Sequence, residues 1–135
     1  MIRYIALFVT LMMTSCNAAP PMADDICKLP KSLAGWSGVD VRWQGIVIGT
    51  FEHGFVLISE NCQRRGIQLG DWPLTPSGDL LEETLRREWL ETGLVRVGVS
   101  GKIAGGMLLV REIHAVSLVP MSEDARRAHL RSLGF

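Results

Sequence analysis

The residues best suited to chemistry are the histidines, of which the sequence has three, at positions 53, 114 and 129. Glu112 and His114 are two residues apart, which places both side chains on one face of a β-strand, where they could do acid/base work or bind a metal. No third ligand accompanies the pair, so the sequence predicts neither a metal site nor a cofactor. His53, between Glu52 and Gly54, could offer its ring to a ligand, although a solvated turn residue is the commoner outcome.

Two motifs that would indicate an enzyme are incomplete. Ser100-Gly101-Lys102 suggests a phosphate-binding loop, but Arg96 occupies the position of the first glycine and Ile103 that of the Ser or Thr. No serine is flanked by the G-x-S-x-G pattern of α/β-hydrolases. The sequence therefore predicts a protein that is not an enzyme.

The cysteines divide into one near the N-terminus, Cys16, and a pair further along the chain. An apolar stretch from Ile5 to Met13 precedes Cys16, with Arg3 in front of it, which is the pattern of a secretory leader. The stretch is shorter than the ~20 apolar residues that cross a bilayer. Met13-Thr14-Ser15-Cys16 resembles the lipobox of bacterial lipoproteins, in which the chain is cut before a cysteine that carries diacylglycerol. The resemblance implies a signal peptide at residues 1–15 and a lipid on Cys16.

Two other interpretations of the N-terminus stay open. The ordinary signal peptidase could cut near Ala18 or Ala19, or the segment could be an unprocessed, buried strand. In the lipoprotein interpretation, residues 16–35 form the lipidated N-terminus and a tether, because prolines and small residues favour a linker. Export then places the protein in the bacterial cell envelope, anchored to the membrane through Cys16 and facing the periplasm. If Cys16 is removed, the protein is soluble in the periplasm.

Cys27 and Cys62 remain as an even pair once Cys16 carries a lipid. Disulfides persist in oxidising compartments, so export favours one disulfide between these two residues. Two unpaired buried thiols are the alternative. A zinc site is disfavoured because neither cysteine belongs to a C-x-x-C pair.

Composition limits the domain count and the partners. The chain has 135 residues, a length that suits one domain with a single hydrophobic core. Its Lys plus Arg and its Asp plus Glu both number 14, so the formal net charge is zero. Proteins that bind nucleic acid present a basic patch to the phosphates, so this balance argues against a nucleic-acid partner.

Hydrophobic periodicity predicts five strands. Alternating apolar and polar residues, or short apolar runs ended by glycine, favour strands at residues 39–50, 55–59, 67–69, 94–103 and 107–119. Along the last of these strands, alternation places Leu109 and Ile113 on one face and Leu108 and Val110 on the other. That strand is therefore expected to be partly exposed.

One internal segment and the C-terminus favour helix. Leu81, Leu85 and Trp89 recur every four residues and predict a helix over residues 79–92, capped by Asp79, with the three apolar side chains in the core. A short helix is predicted within residues 121–135, where Ser122 precedes acidic residues and arginines follow.

The order strand, strand, strand, helix, strand, strand resembles that of the oligonucleotide/oligosaccharide-binding (OB) fold. A first strand that contains Gly45 and Gly49, the helix between strands three and four, and the final pair of strands carry the resemblance. It implies a mainly-β fold, with a small five-stranded barrel and one internal helix over residues 36–120, followed by the short helix at residues 121–135. A small β-sandwich or an α+β sheet is the alternative fold.

OB barrels bind ligands on the face of strands two and three, where exposed rings stack on the ligand. The resemblance therefore points to Trp43, Phe55, Trp72 and His53 as candidate ligand-binding residues. The expected function is that of an exported, lipid-anchored binding or interaction module with an envelope protein as its partner. The alternative is a periplasmic glycan- or peptide-binding protein that uses these aromatic residues on the barrel face.

Overall fold

The computed structural model describes residues 26–88 and 92–135. Five strands and two helices follow two short 3-10 turns, Ile26–Lys28 and Ala34–Trp36. The elements are β1 (Asp40–Thr50), β2 (Gly54–Ile58), β3 (Gly66–Leu69), α1 (Pro76–Glu88), β4 (Gly93–Ala104), β5 (Met107–Pro120) and α2 (Glu123–Ser132). The predicted leader and Cys16 lie outside the described residues.

The five strands close into a barrel. Their order around the sheet is β1-β2-β3-β5-β4, and β4 pairs again with β1. All pairs are antiparallel except β3 with β5, which is parallel and short. The predicted fold class, a small mainly-β barrel with an internal helix between the third and fourth strands, is confirmed.

Two glycines let β1 take part in both halves of the barrel. β1 pairs with β4 over residues 40–47 and with β2 over residues 46–50. A side chain at Gly45 would collide with the carbonyl oxygen of Ile58, and Gly49 has a φ of +133°, which side chains disfavour. The bend from one partner strand to the other therefore requires glycine at these positions.

The inward-facing residues of β1, β4 and β5 form one hydrophobic core with α1. Leu81 and Leu85 of α1 are almost fully buried in this core, whereas Trp89 of the predicted stripe lies outside the described residues. The prediction that Asp79 caps the helix is wrong. Helix α1 begins at Pro76, because the Thr75 hydroxyl accepts a hydrogen bond from the Gly78 N–H at 3.1 Å and proline suits the first helical position.

Two bulges in β5 alter the faces predicted for this strand. Between Val110 and Ala115, the pairing with β4 skips Arg111 and His114, so the alternation of inward and outward side chains restarts after each. Leu108, Val110 and Ile113 all face the core, while Leu109 is 43% exposed. The prediction that Leu109 and Ile113 share a face is therefore wrong.

Helix α2 covers one part of the barrel's outer surface. Leu133, the residue that follows the helix, packs with Ile46, Ile58 and Leu94 in a second apolar cluster. The Ser122 hydroxyl accepts a hydrogen bond from the Ala125 N–H and so caps the first turn of the helix. No helix in the described ranges is long and apolar enough to cross a membrane.

Candidate functional site

The outer face of β1, β4 and β5 carries polar side chains in rows that run across the three strands. Strand register sets the rows, which are Asp40, Lys102 and Leu109, then Arg42, Ser100 and Glu112, and then Gln44, Gly98 and Ala115. The third row has no side chain on β4 and only a methyl group on β5. A depression therefore forms above Gly98. It lies between the row of Arg42, Ser100 and Glu112 and the part of the surface covered by α2.

This depression is a groove made of two adjoining cavities of about 330 and 310 Å³. The two cavities share Gln44, Asn61, Gly98 and Ala115, and we call the whole the Gly98 groove. Further lining residues are Ile26, Arg42, Trp43 and His114 at one end, and Gly45, Glu60, Arg96, Val97 and Ser117 at the other. Most of these side chains are polar, so the groove suits a ligand that forms many hydrogen bonds.

The disulfide predicted from the sequence is confirmed, and it builds one wall of the groove. Cys27 and Cys62 are joined, with their Cα atoms 5.9 Å apart. Ile26 and Asn61, the residues that precede the two cysteines, both line the groove. The bond therefore ties the N-terminal turn to the loop that presents Asn61.

Hydrogen bonds fix the loop at residues 59–65 further. The Ser59 hydroxyl accepts a hydrogen bond from the Asn61 N–H at 3.0 Å and lies 3.2 Å from the sulfur of Cys27. On the other side of the disulfide, the Arg65 guanidinium donates to the carbonyl of Leu29 at 3.0 Å. The loop that carries Asn61 is thus held on both sides before any ligand arrives, which lowers the entropic cost of binding.

A partly exposed ion pair lines the second end of the groove. Arg96 donates two hydrogen bonds to the Glu60 carboxylate, of 2.9 and 2.7 Å, and His129 of α2 lies 3.3 Å from the same carboxylate. The hydrogen bonds from Arg96 hold the pKa of Glu60 below its ordinary value, and burial opposes this effect. Because Arg96 is engaged by Glu60, it serves the groove as a fixed boundary.

The first end of the groove carries an arginine whose positive charge is available to a ligand. Arg42 lines this end, and no described residue forms an ion pair with it. Gln44, two residues along β1, and Asn61 also line this end, and their amides both donate and accept hydrogen bonds. Sequence reasoning did not place Arg42, Gln44, Asn61 or Gly98 among the candidate ligand-binding residues.

Ser100, His114 and Glu112 lie together at the same end. Nε2 of His114 is 2.9 Å from Oγ of Ser100, and Nδ1 is 3.9 Å from Oε2 of Glu112. The sequence spacing identified Glu112 and His114 as a pair, which the structure brings together. It missed Ser100, because only the pairing of β4 with β5 places this residue directly opposite Glu112.

Two of the four ligand-binding candidates named from the sequence are in the core. Trp43 is 2% exposed and Phe55 is 7% exposed, so the prediction that their rings stack on a ligand is wrong. Trp43 has the same inward direction on β1 as Val41, although it also contributes to the lining of the groove. Phe55 packs between Phe51 and Trp72, with ring centroids 5.1 and 5.8 Å away.

Trp72 and His53 lie apart from the groove. Trp72 is half-buried against Phe55 in the segment between β3 and α1. His53 is in the β1–β2 turn, with 79% of its side chain exposed, and its backbone N–H donates to the Thr50 hydroxyl. Neither residue lines the Gly98 groove.

Residues 26–88 and 92–135 contain no group of three or more His, Cys, Asp or Glu residues that could hold a metal ion. Comparison of the chain with family models, with curated proteins and with solved structures finds no match in any of the three.

Proposed function

We propose that the protein is an exported, lipid-anchored component of the bacterial envelope that acts as a binding module, and that its ligand lies in the Gly98 groove. The secretory pattern before Cys16 supports export. The disulfide between Cys27 and Cys62 supports it independently, since such bonds persist in oxidising compartments.

The observation that carries the binding function is the chemistry of the groove. Arg42, Gln44 and Asn61 offer a guanidinium and two amides above a floor that lacks side chains at Gly98. Such groups form paired hydrogen bonds with vicinal hydroxyl and acetamido groups, and the flat floor accommodates a ring. The ligand that best fits is therefore an envelope glycan, rather than an apolar molecule.

This site differs from the aromatic barrel face expected from the sequence. That face loses Trp43 and Phe55 to the core, and the rings of Phe51 and Trp72 pack against Phe55. Hydrogen bonding in the Gly98 groove replaces aromatic stacking as the source of affinity in the proposal. A protein partner could still present such a glycan, or bind beside it, without changing the role of the groove.

The proposal is tested by filling the groove. A Cβ atom added at Gly98 would lie 3.7 Å from the Gln44 side chain and 3.8 Å from Ala115, which is ordinary contact, so Gly98→Val is expected to fold. Binding of a panel of neutral and acetamido-sugar oligosaccharides is measured by calorimetry. We expect Gly98→Val to weaken binding by about tenfold or more, a loss of about 1.4 kcal/mol or more.

Gly35→Val is the matched control, because a Cβ atom at Gly35 meets nothing within 4 Å and the residue does not line the groove. It should bind as the unsubstituted protein does. Unchanged affinity in Gly98→Val, or no binding of any glycan by the unsubstituted protein, would refute the proposed function.

A further inference from the structure

We propose that Ser100 is an activated nucleophile that attacks acyl esters, with His114 as its base and Glu112 as a positioning residue. This activity goes beyond the binding function and does not depend on the identity of the glycan. It rests on the contacts of these three side chains and on their place between two cavities.

The connectivity of the three residues is that of a serine, histidine and carboxylate triad. Each imidazole nitrogen of His114 faces a different partner, Nε2 facing Ser100 at 2.9 Å and Nδ1 facing Glu112 at 3.9 Å. The carboxylate favours a proton on Nδ1, so Nε2 is left to accept the hydrogen bond from the serine hydroxyl. Catalytic hydrogen bonds are often long before substrate binds, as the contact with Glu112 is.

Strand register brings the three residues together. Ser100 is paired with Glu112, and the second bulge leaves His114 without a partner on β4. Glu112 and His114 both point outward, because the buried Ile113 lies between them in the strand. Bulges are common next to active sites.

Cavities flank the nucleophile on both sides. His114 lines the Gly98 groove, while Ser100 and Glu112 line a separate depression of about 280 Å³. Arg42 borders both. A substrate can therefore place its alcohol portion in one cavity and its acyl group in the other, with the ester bond beside Ser100 and a cation nearby for the oxyanion.

The reaction requires only the ester and water. Oγ of Ser100 forms a bond with the acyl carbon as its proton moves to Nε2 of His114, and the ester C–O bond breaks as that proton passes to the leaving alcohol. Water then attacks the acyl-serine, with His114 accepting its proton and returning it to Oγ. The products are the free alcohol and the carboxylic acid, and Ser100 is restored.

The test is covalent labelling of the folded protein with a fluorophosphonate and with 4-nitrophenyl acetate, followed by intact mass and peptide mapping. We expect an adduct at Ser100 in the unsubstituted protein and none there in Ser100→Ala. His114→Gln should slow labelling about 100-fold or more, which is the usual contribution of a general base. Glu112→Gln should lower the maximal labelling rate without changing the probe concentration that gives half of it.

Ser37→Ala is the control, because Ser37 is an exposed serine that lines neither the Gly98 groove nor the depression beside Ser100. This variant should label at Ser100 as the unsubstituted protein does. Labelling of Ser100 no faster than that of Ser37 would overturn the inference. Glycan binding separates the two proposals, since Ser100→Ala should keep it and Gly98→Val should lose it.

Discussion

The groove depends on the side chain that Gly98 lacks. One row of residues crosses three strands, with Gln44 on β1, Gly98 on β4 and Ala115 on β5. The surface is lower at this row, because the neighbouring rows carry larger side chains. Unlike Gly45, this glycine is not required by the fold, because added atoms would meet only ordinary contacts. A glycine that the fold tolerates but does not need is consistent with a binding role.

Glu60 is the residue whose ionisation most directly affects the groove wall. Its carboxylate accepts two hydrogen bonds from Arg96 and lies against His129, which links the loop to β4 and α2. Because these partners lower the pKa of Glu60 in the folded state, the pair stabilises the fold above the unfolded pKa. This stabilisation is lost as the pH falls through the folded pKa.

We therefore predict that Glu60→Gln lowers the free energy of unfolding by about 1 to 2 kcal/mol at neutral pH, as for a charge-assisted hydrogen bond. The difference from the unsubstituted protein should shrink as the pH falls below the ordinary carboxyl range. Urea unfolding at several pH values measures it. Glu82→Gln is the control, because its pair with Arg86 is exposed and should contribute little. A loss independent of pH would contradict the account.

Among the secondary-structure elements, the N-terminal turn and the loop at residues 59–65 owe their positions to the disulfide. The bond closes a span of 35 residues that contains all of β1 and β2. On the chain-entropy model, a loop of this length stabilises the fold by about 4 kcal/mol. Since Ile26 and Asn61 adjoin the cysteines, the same bond ties together two residues that line the groove.

The double variant Cys27→Ser with Cys62→Ser is expected to lose about 4 kcal/mol of unfolding free energy, and reduction of the unsubstituted protein should have the same effect. Thermal unfolding with and without reductant measures both. Glycan binding should weaken in the variant even at temperatures where it is folded. An unfolding curve that reduction does not change would contradict this role of the disulfide.

The sequence predicted the elements of the barrel better than their details. Its five strands, its internal helix and the short C-terminal helix all follow from periodicity and capping residues. The sequence also contained an indication that Trp43 is buried. Alternation along β1 places this residue on the same face as Val41 and Val47. The resemblance to ligand-binding barrels outweighed that signal, and the ring that was expected to be exposed for stacking is buried.

Other features of the site lie beyond local sequence pattern. The bulges at Arg111 and His114 depend on how β5 aligns with β4, which alternation within one strand does not reveal. The same alignment places Ser100 beside His114, although 14 residues separate them in the chain. Pairing across strands therefore decides both the groove and the candidate nucleophile.

For the whole molecule, chain length limits how far the groove can lie from the proposed anchor. Positions 16 and 26 are ten residues apart, and a fully extended chain spans at most about 3.5 Å per residue. Ile26, which lines the groove, thus lies within about 35 Å of the lipid in a lipoprotein that begins at Cys16. A module tethered in this way samples ligands near the membrane surface.

The most direct test of the proposed function is to map the amide resonances of the folded protein by NMR during a titration with the oligosaccharide that binds most tightly. We predict that the largest shifts fall on Gln44, Asn61, Gly98 and Ala115, the residues shared by both parts of the groove. Shifts concentrated instead around His53 and Trp72, with those four amides unmoved, would contradict the account and favour the face of strands two and three that the sequence predicted.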